Sequence, residues 1–348
     1  MRPTVFTPVD ELTRRRLLTG AGAAGLLIAA GRGVGPAAGA EPEDGAFPVT
    51  IEHQYGGTEI REEPRRVVSV GLTEQDAILA LGVKPVAVTE WFGEQPYATW
   101  PWATDELGGA EPAVLRGDLN FERVAGLRPD LILAIYSAIT EDDYHTLSQI
   151  APTVAPPAGY ADYLGPPWQE ATRVIGRALG QPARAEQLVA EVESLIAHAR
   201  EEHPEFEGAA VVFAVNGGDG SYYLHGQESA PVRAMRALGF RLPTQIPKPA
   251  ANEPYTQISG EQIDLLDLAD VLVWVLNSGA EREGFANDPL YQGLDVVKEG
   301  RDIFLAIPEP LAGATGFNSV LSIPFLLDGL VPMLAAAVDG DPATEVIS

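Results

Sequence analysis

Two glutamates in this chain stand in the same local setting, one in each half. Glu122 belongs to Gly117-Asp118-Leu119-Asn120-Phe121-Glu122-Arg123-Val124, which continues through Leu127-Arg128-Pro129-Asp130 into the apolar stretch Leu131 to Ile135. Glu261 belongs to Ser259-Gly260-Glu261-Gln262-Ile263-Asp264, which continues through Asp267-Leu268-Ala269-Asp270 into Val271 to Leu276. Each opens a short amphipathic helix behind a good N-cap, Asn120 or Ser259, where the positive end of the helix dipole favours a carboxylate. A side chain at such a helix start can project towards solvent. An aspartate eight or nine residues further on precedes a buried strand each time. The recurrence predicts two similar lobes, each displaying one glutamate.

Reactive chemistry has little support elsewhere. The chain holds no G-x-S-x-G nucleophile elbow, no phosphate-binding P-loop and no H-E-x-x-H pair. Asn216-Gly217-Gly218-Asp219-Gly220 reads as a turn at a strand end, because no helix follows it directly. The histidines, His53, His145, His198, His203 and His225, are scattered; His198 and His203 lie five apart on one helix and do not share a face closely enough to chelate. No metal ligation by the protein, no cofactor and no enzymatic activity are therefore expected. Binding chemistry has better support. Trp91, Phe92, Tyr97, Trp100 and Trp102 crowd one loop, and such aromatics are costly to leave in water unless they face a cleft or a ligand. Arg116, one of few cations in an acidic chain, lies in a loop at the mouth of the first lobe, where it would anchor a polar edge of a ligand.

The bulk numbers bound these readings. The 348 residues are enough for two domains, and 46% hydrophobic composition is enough to give each a core. Lys+Arg 23 against Asp+Glu 49 leaves −26; beyond residue 40 the balance is 18 against 47, or −29. Nucleic-acid binding, which needs a basic face, is excluded. Zero cysteines remove disulfides, thiolate chemistry, cysteine-ligated zinc and lipid attachment at a lipobox cysteine. Thr13-Arg14-Arg15-Arg16-Leu17-Leu18 matches the twin-arginine export pattern, with a short Ala/Gly-rich apolar stretch behind it and Ala38-Gly39-Ala40 as the cleavage site. Cleavage after Ala40 starts the mature protein at Glu41.

The elements that must position the candidates alternate in type. Phe47 to Glu63 alternates apolar and polar residues around Gly56-Gly57 and predicts a hairpin. Strands are expected at 67–70, 85–88, 131–135 and 153–155 in the first lobe, with helices at 74–81 and 141–150 between them. A helix over 168–179 and a longer one over 182–202, which has Pro182 in its first turn, come next. Strands at 209–215, 222–224, 271–276 and 303–305, a helix at 231–238 and a closing helix over 318–337 complete the pattern. Strands alternating with helices over short links mean parallel sheets covered by helices. The expected fold is α/β: two Rossmann-like lobes with mainly parallel sheets, residues 41–181 and 204–348, joined by a single long helix at 182–203, with a ligand cleft between them.

On these motifs the chain resembles the Fe/B12-type periplasmic substrate-binding proteins of ABC importers, particularly those for ferric siderophores. The resemblance covers about residues 48–340. It rests on Arg66-Val67-Val68-Ser69-Val70-Gly71, on Glu74 to Gly82, on Asn120-Phe121-Glu122 with Leu127-Arg128-Pro129-Asp130, on Ile150-Ala151-Pro152-Thr153-Val154, and on Ser259-Gly260-Glu261 with Ala269-Asp270-Val271. It implies a monomer that holds a ferric siderophore between its lobes and delivers it to a permease and its ATPase. One glutamate per lobe, Glu122 and Glu261, would dock on permease arginines. The family's cleft positions map onto Arg116 and Tyr136, while Trp91, Phe92, Tyr160, Tyr163, Trp168, Tyr222, Trp274 and Phe317 are cleft candidates by loop position. Iron would be bound only through its chelator. A neutral hydroxamate is favoured over a triply anionic catecholate, because Arg116 is the main cation expected near the cleft. Haem or a corrinoid would use the same aromatic walls. An extracytoplasmic enzyme would need a titratable pair facing the cleft, and a protein receptor a shallow hydrophilic one. The missing lipobox cysteine leaves the protein free in the envelope or held by an uncleaved signal.

Overall fold

The computed structural model describes residues 42–160, 165–249, 253–341 and 344. Arg14, Arg15 and Ala40 of the export signal, and Tyr163, lie outside the described residues.

The first element is an antiparallel hairpin, β1 (Val49–His53) and β2 (Gly56–Ile60). Its turn falls at Gln54-Tyr55. Gly56 and Gly57 instead open β2, pairing with His53 and Glu52.

Two five-stranded sheets follow. The first holds β3 (Val67–Ser69), β4 (Ala87–Thr89), β5 (Ala113–Leu115), β6 (Leu131–Leu133) and β7 (Thr153–Val154), all parallel, in the order β5-β4-β3-β6-β7. The second holds β8 (Val211–Asn216), β9 (Ser221–His225), β10 (Tyr255–Ser259), β11 (Val271–Leu276) and β12 (Asp302–Ala306) in the order β10-β9-β8-β11-β12. By chain position both sheets read third-second-first-fourth-fifth, the doubly wound order. In the second sheet, however, β9 runs antiparallel to β8 and to β10. The strands β5 and β10 carry no signal of their own in the sequence reading; both are short edge strands, and β10 alternates exposed and buried positions.

The central strands are buried along almost their whole length, β6 and β11 above all, which is why they read as unbroken apolar runs. Apolar clusters cover both faces of each sheet. Ile78, Leu131, Leu133 and Ile175 belong to one cluster of the first lobe and Val68, Ile132 and Leu147 to the other. Phe213, Val273 and Leu305 belong to one cluster of the second lobe and Val212, Leu272 and Trp274 to the other.

Between the sheets in the chain lies the helix Pro182–Glu202, 21 residues long. It buries Ala185, Leu188, Val189 and Val192, whereas Leu195, at the same helical spacing, is 47% exposed. The closing segment is two helices, Pro310–Phe317 and Ser322–Val338, not one. They are separated at Asn318, whose backbone is left-handed (φ 43). This segment reaches both lobes: Val320 and Ile323 pack into the first core, Leu326 and Leu330 into the second.

The two glutamate stretches occupy matching places. Glu122 is in the helix Phe121–Gly126, between edge strand β5 and central strand β6; Glu261 is in the 3₁₀ helix Gly260–Leu268, between edge strand β10 and central strand β11. Asn120 Oδ1 accepts from Arg123 N at 2.9 Å as predicted for a cap, and Gln262 Oε1 accepts from Ser259 N at 3.2 Å. The recurring aspartates have a structural task. Asp130 accepts from Arg65 N and Arg66 N at 2.9 and 2.7 Å, and Asp270 accepts from Ala210 N at 2.6 Å. Each ties the start of its lobe's fourth strand to the chain entering the first.

Candidate ligand-binding site

A cavity of about 90 Å³ lies between the lobes, lined from the first by Leu72, Thr73, Trp91 and Tyr136, and from the second by His225, Ser229, Arg233, Tyr255 and Phe317, among others. It adjoins a hollow of about 280 Å³ through Leu72 and one of about 670 Å³ through Ser229, Arg233 and Pro254. Cavities that take small ligands run to roughly 300–1,000 Å³, so the central cavity alone is too small, and the space reaches that size only with the adjoining hollows, the smaller of which lies wholly within the first lobe.

The first-lobe wall is held by one carboxylate. Glu74, 1% exposed, accepts from Ser69 Oγ (3.1 Å), Gly71 N (3.0 Å), Ile135 N (2.8 Å) and Tyr136 N (2.9 Å). It therefore ties the chain leaving β3 to the chain leaving β6, at the switch point of the sheet where α/β proteins place ligands. A Cβ on Gly71 would come within 2.2 Å of this carboxylate, so that position requires glycine. Burial pushes the Glu74 carboxyl up, and the donors from Tyr136, Gly71, Ser69 and Ile135 pull it back. Tyr136 is fixed at its other end as well: its hydroxyl donates to Pro166 O at 2.9 Å, and its ring covers Gly165, where a Cβ would meet it at 2.4 Å. Trp91 stands edge-on to Phe92 at 4.7 Å and lies 5.9 Å from Phe317.

The aromatic loop divides by task. Trp91 lines the cavity and Phe92 backs it, between Trp91, Trp100 and Phe317. Trp100 is 1% exposed and stacks on Trp102 at 5.1 Å with the planes 4° apart. These two pack against Phe317, and Trp102 also against Phe325, fastening the loop to the closing segment.

From the second lobe come groups that the sequence reading missed. His225 ends β9 opposite Tyr255 of β10, their rings 4.6 Å apart and edge to face. Burial lowers its pKa to about 3, so the imidazole is neutral at neutral pH, and its Nδ1 is sealed from water without a hydrogen-bond partner. Arg233 lies in the first turns of the helix Ala230–Ala237, with Nη1 donating to Gly165 O at 3.5 Å. Asn318 and Thr73 also present buried oxygens without partners, Oδ1 and Oγ1. These three unpartnered atoms, on His225, Asn318 and Thr73, belong to residues that line the cavity, where a ligand could bond them. His225 was visible as a histidine ending a strand, but β10, which completes its setting, was not.

Several predicted positions are corrected. Trp274 is 0% exposed, its Nε1 donating to Tyr291 Oη at 2.9 Å; it is core, because β11 is central and covered on both faces. Tyr222 packs edge-on to Trp274 in the same cluster. Trp168 is 7% exposed in the first-lobe core and borders a further, mostly apolar hollow with Ile196, Met235 and Leu326, which meets the central cavity at Arg233 and Asn318. Tyr160 borders the 670 Å³ hollow that adjoins the central cavity. Arg116 lines the 280 Å³ hollow and is engaged by Glu90 through Nε at 2.7 Å and Nη2 at 3.2 Å. Glu122 and Glu261 are exposed. Among the described residues no group of three or more His, Cys, Asp or Glu is placed to hold a metal ion.

The comparisons with known proteins agree with this architecture. Residues 67–306 match the model of the periplasmic binding protein family, and the chain belongs to that family. A periplasmic solute-binding protein of Mycobacterium smegmatis superposes with a TM-score of 0.76 at 36% identity, over 83% of this chain and 98% of the other. PiaA of Streptococcus pneumoniae, solved in complex with ferrichrome, superposes with a TM-score of 0.69 at 25% identity, over 84% of this chain and 99% of the other. The probable siderophore-binding lipoprotein YfiY of Bacillus subtilis is 27% identical over 266 residues, 72% of this chain and 78% of the relative. Membership of this family makes the chain a periplasmic-type binding protein.

Proposed function

We propose that the protein captures a ferric siderophore outside the cytoplasm and hands it to the permease and ATPase of an ABC importer, acting as a monomer exported by the twin-arginine route. The cavity between the lobes carries this reading: Trp91, Tyr136, Tyr255 and Phe317 supply apolar walls, and Arg233 one cationic anchor. Similarity to YfiY, a probable siderophore-binding lipoprotein, and to the Fe(3+) dicitrate-binding periplasmic protein FecB of Escherichia coli supports iron chelates as the ligand class. A hydroxamate chelate is favoured. A catecholate complex with three negative charges needs several cations close to it, whereas among the described residues Arg233 is the one cation lining the central cavity and neutral His225 adds none. Iron stays within its chelator, and the protein supplies shape, aromatic surface and a few polar contacts.

Tryptophan fluorescence tests the proposal. Ferrichrome should quench it in the wild type, and Trp91→Phe should remove most of that quench, since the other four tryptophans include the core residue Trp274. A quench by ferric catecholate or citrate but not by ferrichrome would overturn the hydroxamate reading. A quench only by haem or cobalamin would overturn the siderophore reading itself.

A further inference from the structure

The head of the helix Gln75–Ala80 puts polar side chains in a row inside the protein. Glu74, Gln75 and Asp76 are each 1% exposed, and Thr73 before them 5%. Ionisable groups are rarely buried without full pairing. Glu74 has its four donors. Asp76 has two, both on Oδ2: Trp102 Nε1 at 2.8 Å and the Ser319 hydroxyl. Nearby in the chain to Asp76 or to its partner Ser319, the Thr73 hydroxyl, both amide atoms of Gln75 and Asn318 Oδ1 are sealed from water with no hydrogen-bond partner.

The position of Asp76 is as unusual as its burial. Trp102 belongs to the aromatic loop. Ser319 begins the turn into the helix Ser322–Val338, bonded to it by Ser319 N to Ser322 Oγ (2.7 Å) and Ser322 N to Ser319 Oγ (3.0 Å). One carboxyl therefore joins a first-lobe helix, the aromatic loop and the closing segment that packs into both cores. Its partner Ser319 adjoins Asn318 and Phe317 of the ligand cavity.

We propose that Asp76 is a proton-dependent fastener of the joint between the lobes: the joint is closed while the carboxyl is protonated and loosens when it ionises. An ionised carboxylate here has given up its water for two donors and regains hydration when the joint opens. The neutral form carries no such cost. Burial raises the carboxyl from 3.8 to about 7, against the lowering by Ser319 and Trp102, and Glu106 of the helix Thr104–Leu107 raises it further. The other groups packed near it do not supply a counter-charge. Lys84 interacts with Glu106, Arg173 of the helix Trp168–Ala178 is engaged by Glu186, Arg177 is exposed, and Glu170 acts on Tyr136.

The experiment reads the free protein, so its outcome does not depend on the ligand. In tryptophan-¹⁵N-labelled protein the Trp102 indole N–H resonance should titrate with a midpoint near pH 7. Asp76→Asn should abolish that titration. Ser319→Ala, which removes a donor that favours the ionised form, should move the midpoint upward, and it serves if Asp76→Asn does not fold. Hydrogen exchange of residues 316–326 should match between wild type and Asp76→Asn only near or below pH 3.8, where the carboxyl is protonated in the open joint as well. Between there and about pH 7 it should become faster in the wild type by up to roughly tenfold per pH unit, the factor that one proton gives. Absence of titration, a titration that survives Asp76→Asn, an unmoved midpoint in Ser319→Ala, or equal exchange across that range would each overturn the proposal.

Discussion

The two lobes share a strand order and differ in how their first three strands are connected. In the first lobe β3, β4 and β5 are all parallel, so each link must return across the sheet. Those returns supply the helix Gln75–Ala80 and the long aromatic loop, and they bring Leu72, Thr73 and Trp91 to the cavity. In the second lobe β8 and β9 form a hairpin turned at residues 217–220, which leaves no long loop at that point. Its contribution comes instead from the end of β9, the start of β10 and the helix Ala230–Ala237, as His225, Tyr255 and Arg233. One lobe thus supplies an aromatic wall whose Tyr136 backbone is clamped by Glu74, and the other supplies aromatic groups together with the cation. Where strands must be parallel, the crossover becomes the binding surface; where a hairpin suffices, the surface moves to the sheet edge.

The largest effect should come from what the lobes share. Glu122 and Glu261 follow the edge strand of each lobe and are exposed. If they hold the two lobes against two membrane subunits, Glu122→Ala with Glu261→Ala should leave siderophore affinity within about twofold, exposed carboxylates contributing little to the fold, while uptake by cells collapses. Loss of affinity alongside uptake would place them in the site; intact uptake would remove them from docking.

Removing the clamp on the first wall comes next. Glu74→Ala would strand the N–H groups of Gly71, Ile135 and Tyr136. At about 1–3 kcal/mol for each buried donor left unpaired, unfolding in urea should show a loss of several kcal/mol. A loss below about 1 kcal/mol would mean that water replaces the carboxylate and that the wall is not clamped.

The cations sharpen the contrast between lobes. Arg233→Ala should weaken ferrichrome binding by about 1.5–3 kcal/mol, roughly 10- to 150-fold. Arg116→Ala should cost far less, since Glu90 already engages its guanidinium at 2.7 Å. Titration calorimetry showing the reverse order would return the anchor to the first lobe.

The smallest effect tests the symmetry itself. Asp130→Ala, which removes two backbone hydrogen bonds, should destabilise the protein by about 2 kcal/mol and Asp270→Ala, which removes one, by about 1 kcal/mol, with ligand affinity unchanged in both. A loss in ligand affinity for either would show that the two aspartates, alike in sequence, are not alike in task.

Much of the frame was legible without coordinates. The unbroken apolar runs at 131–135 and 271–276, the caps Asn120 and Ser259, and Pro182 at a helix start express local rules that act within a few residues, and the structure realises each as strand or helix. The repeat of glutamate and aspartate in both halves announced two lobes of similar plan. Other features depended on partners far away in the chain. β5 and β10 exist because neighbouring strands offer hydrogen bonds to them, and short edge strands carry little signal of their own. An aromatic residue reads alike whether it faces a cleft or a core, so sequence could not separate Trp91 from Trp274; the position of β11 at the middle of a covered sheet made that choice. Likewise a buried carboxylate looks like any other in sequence. Only the packing of three distant segments around residues 74 and 76 turned Glu74 into a clamp and Asp76 into a sparsely solvated joint, because burial and hydrogen-bond supply are properties of the assembled fold.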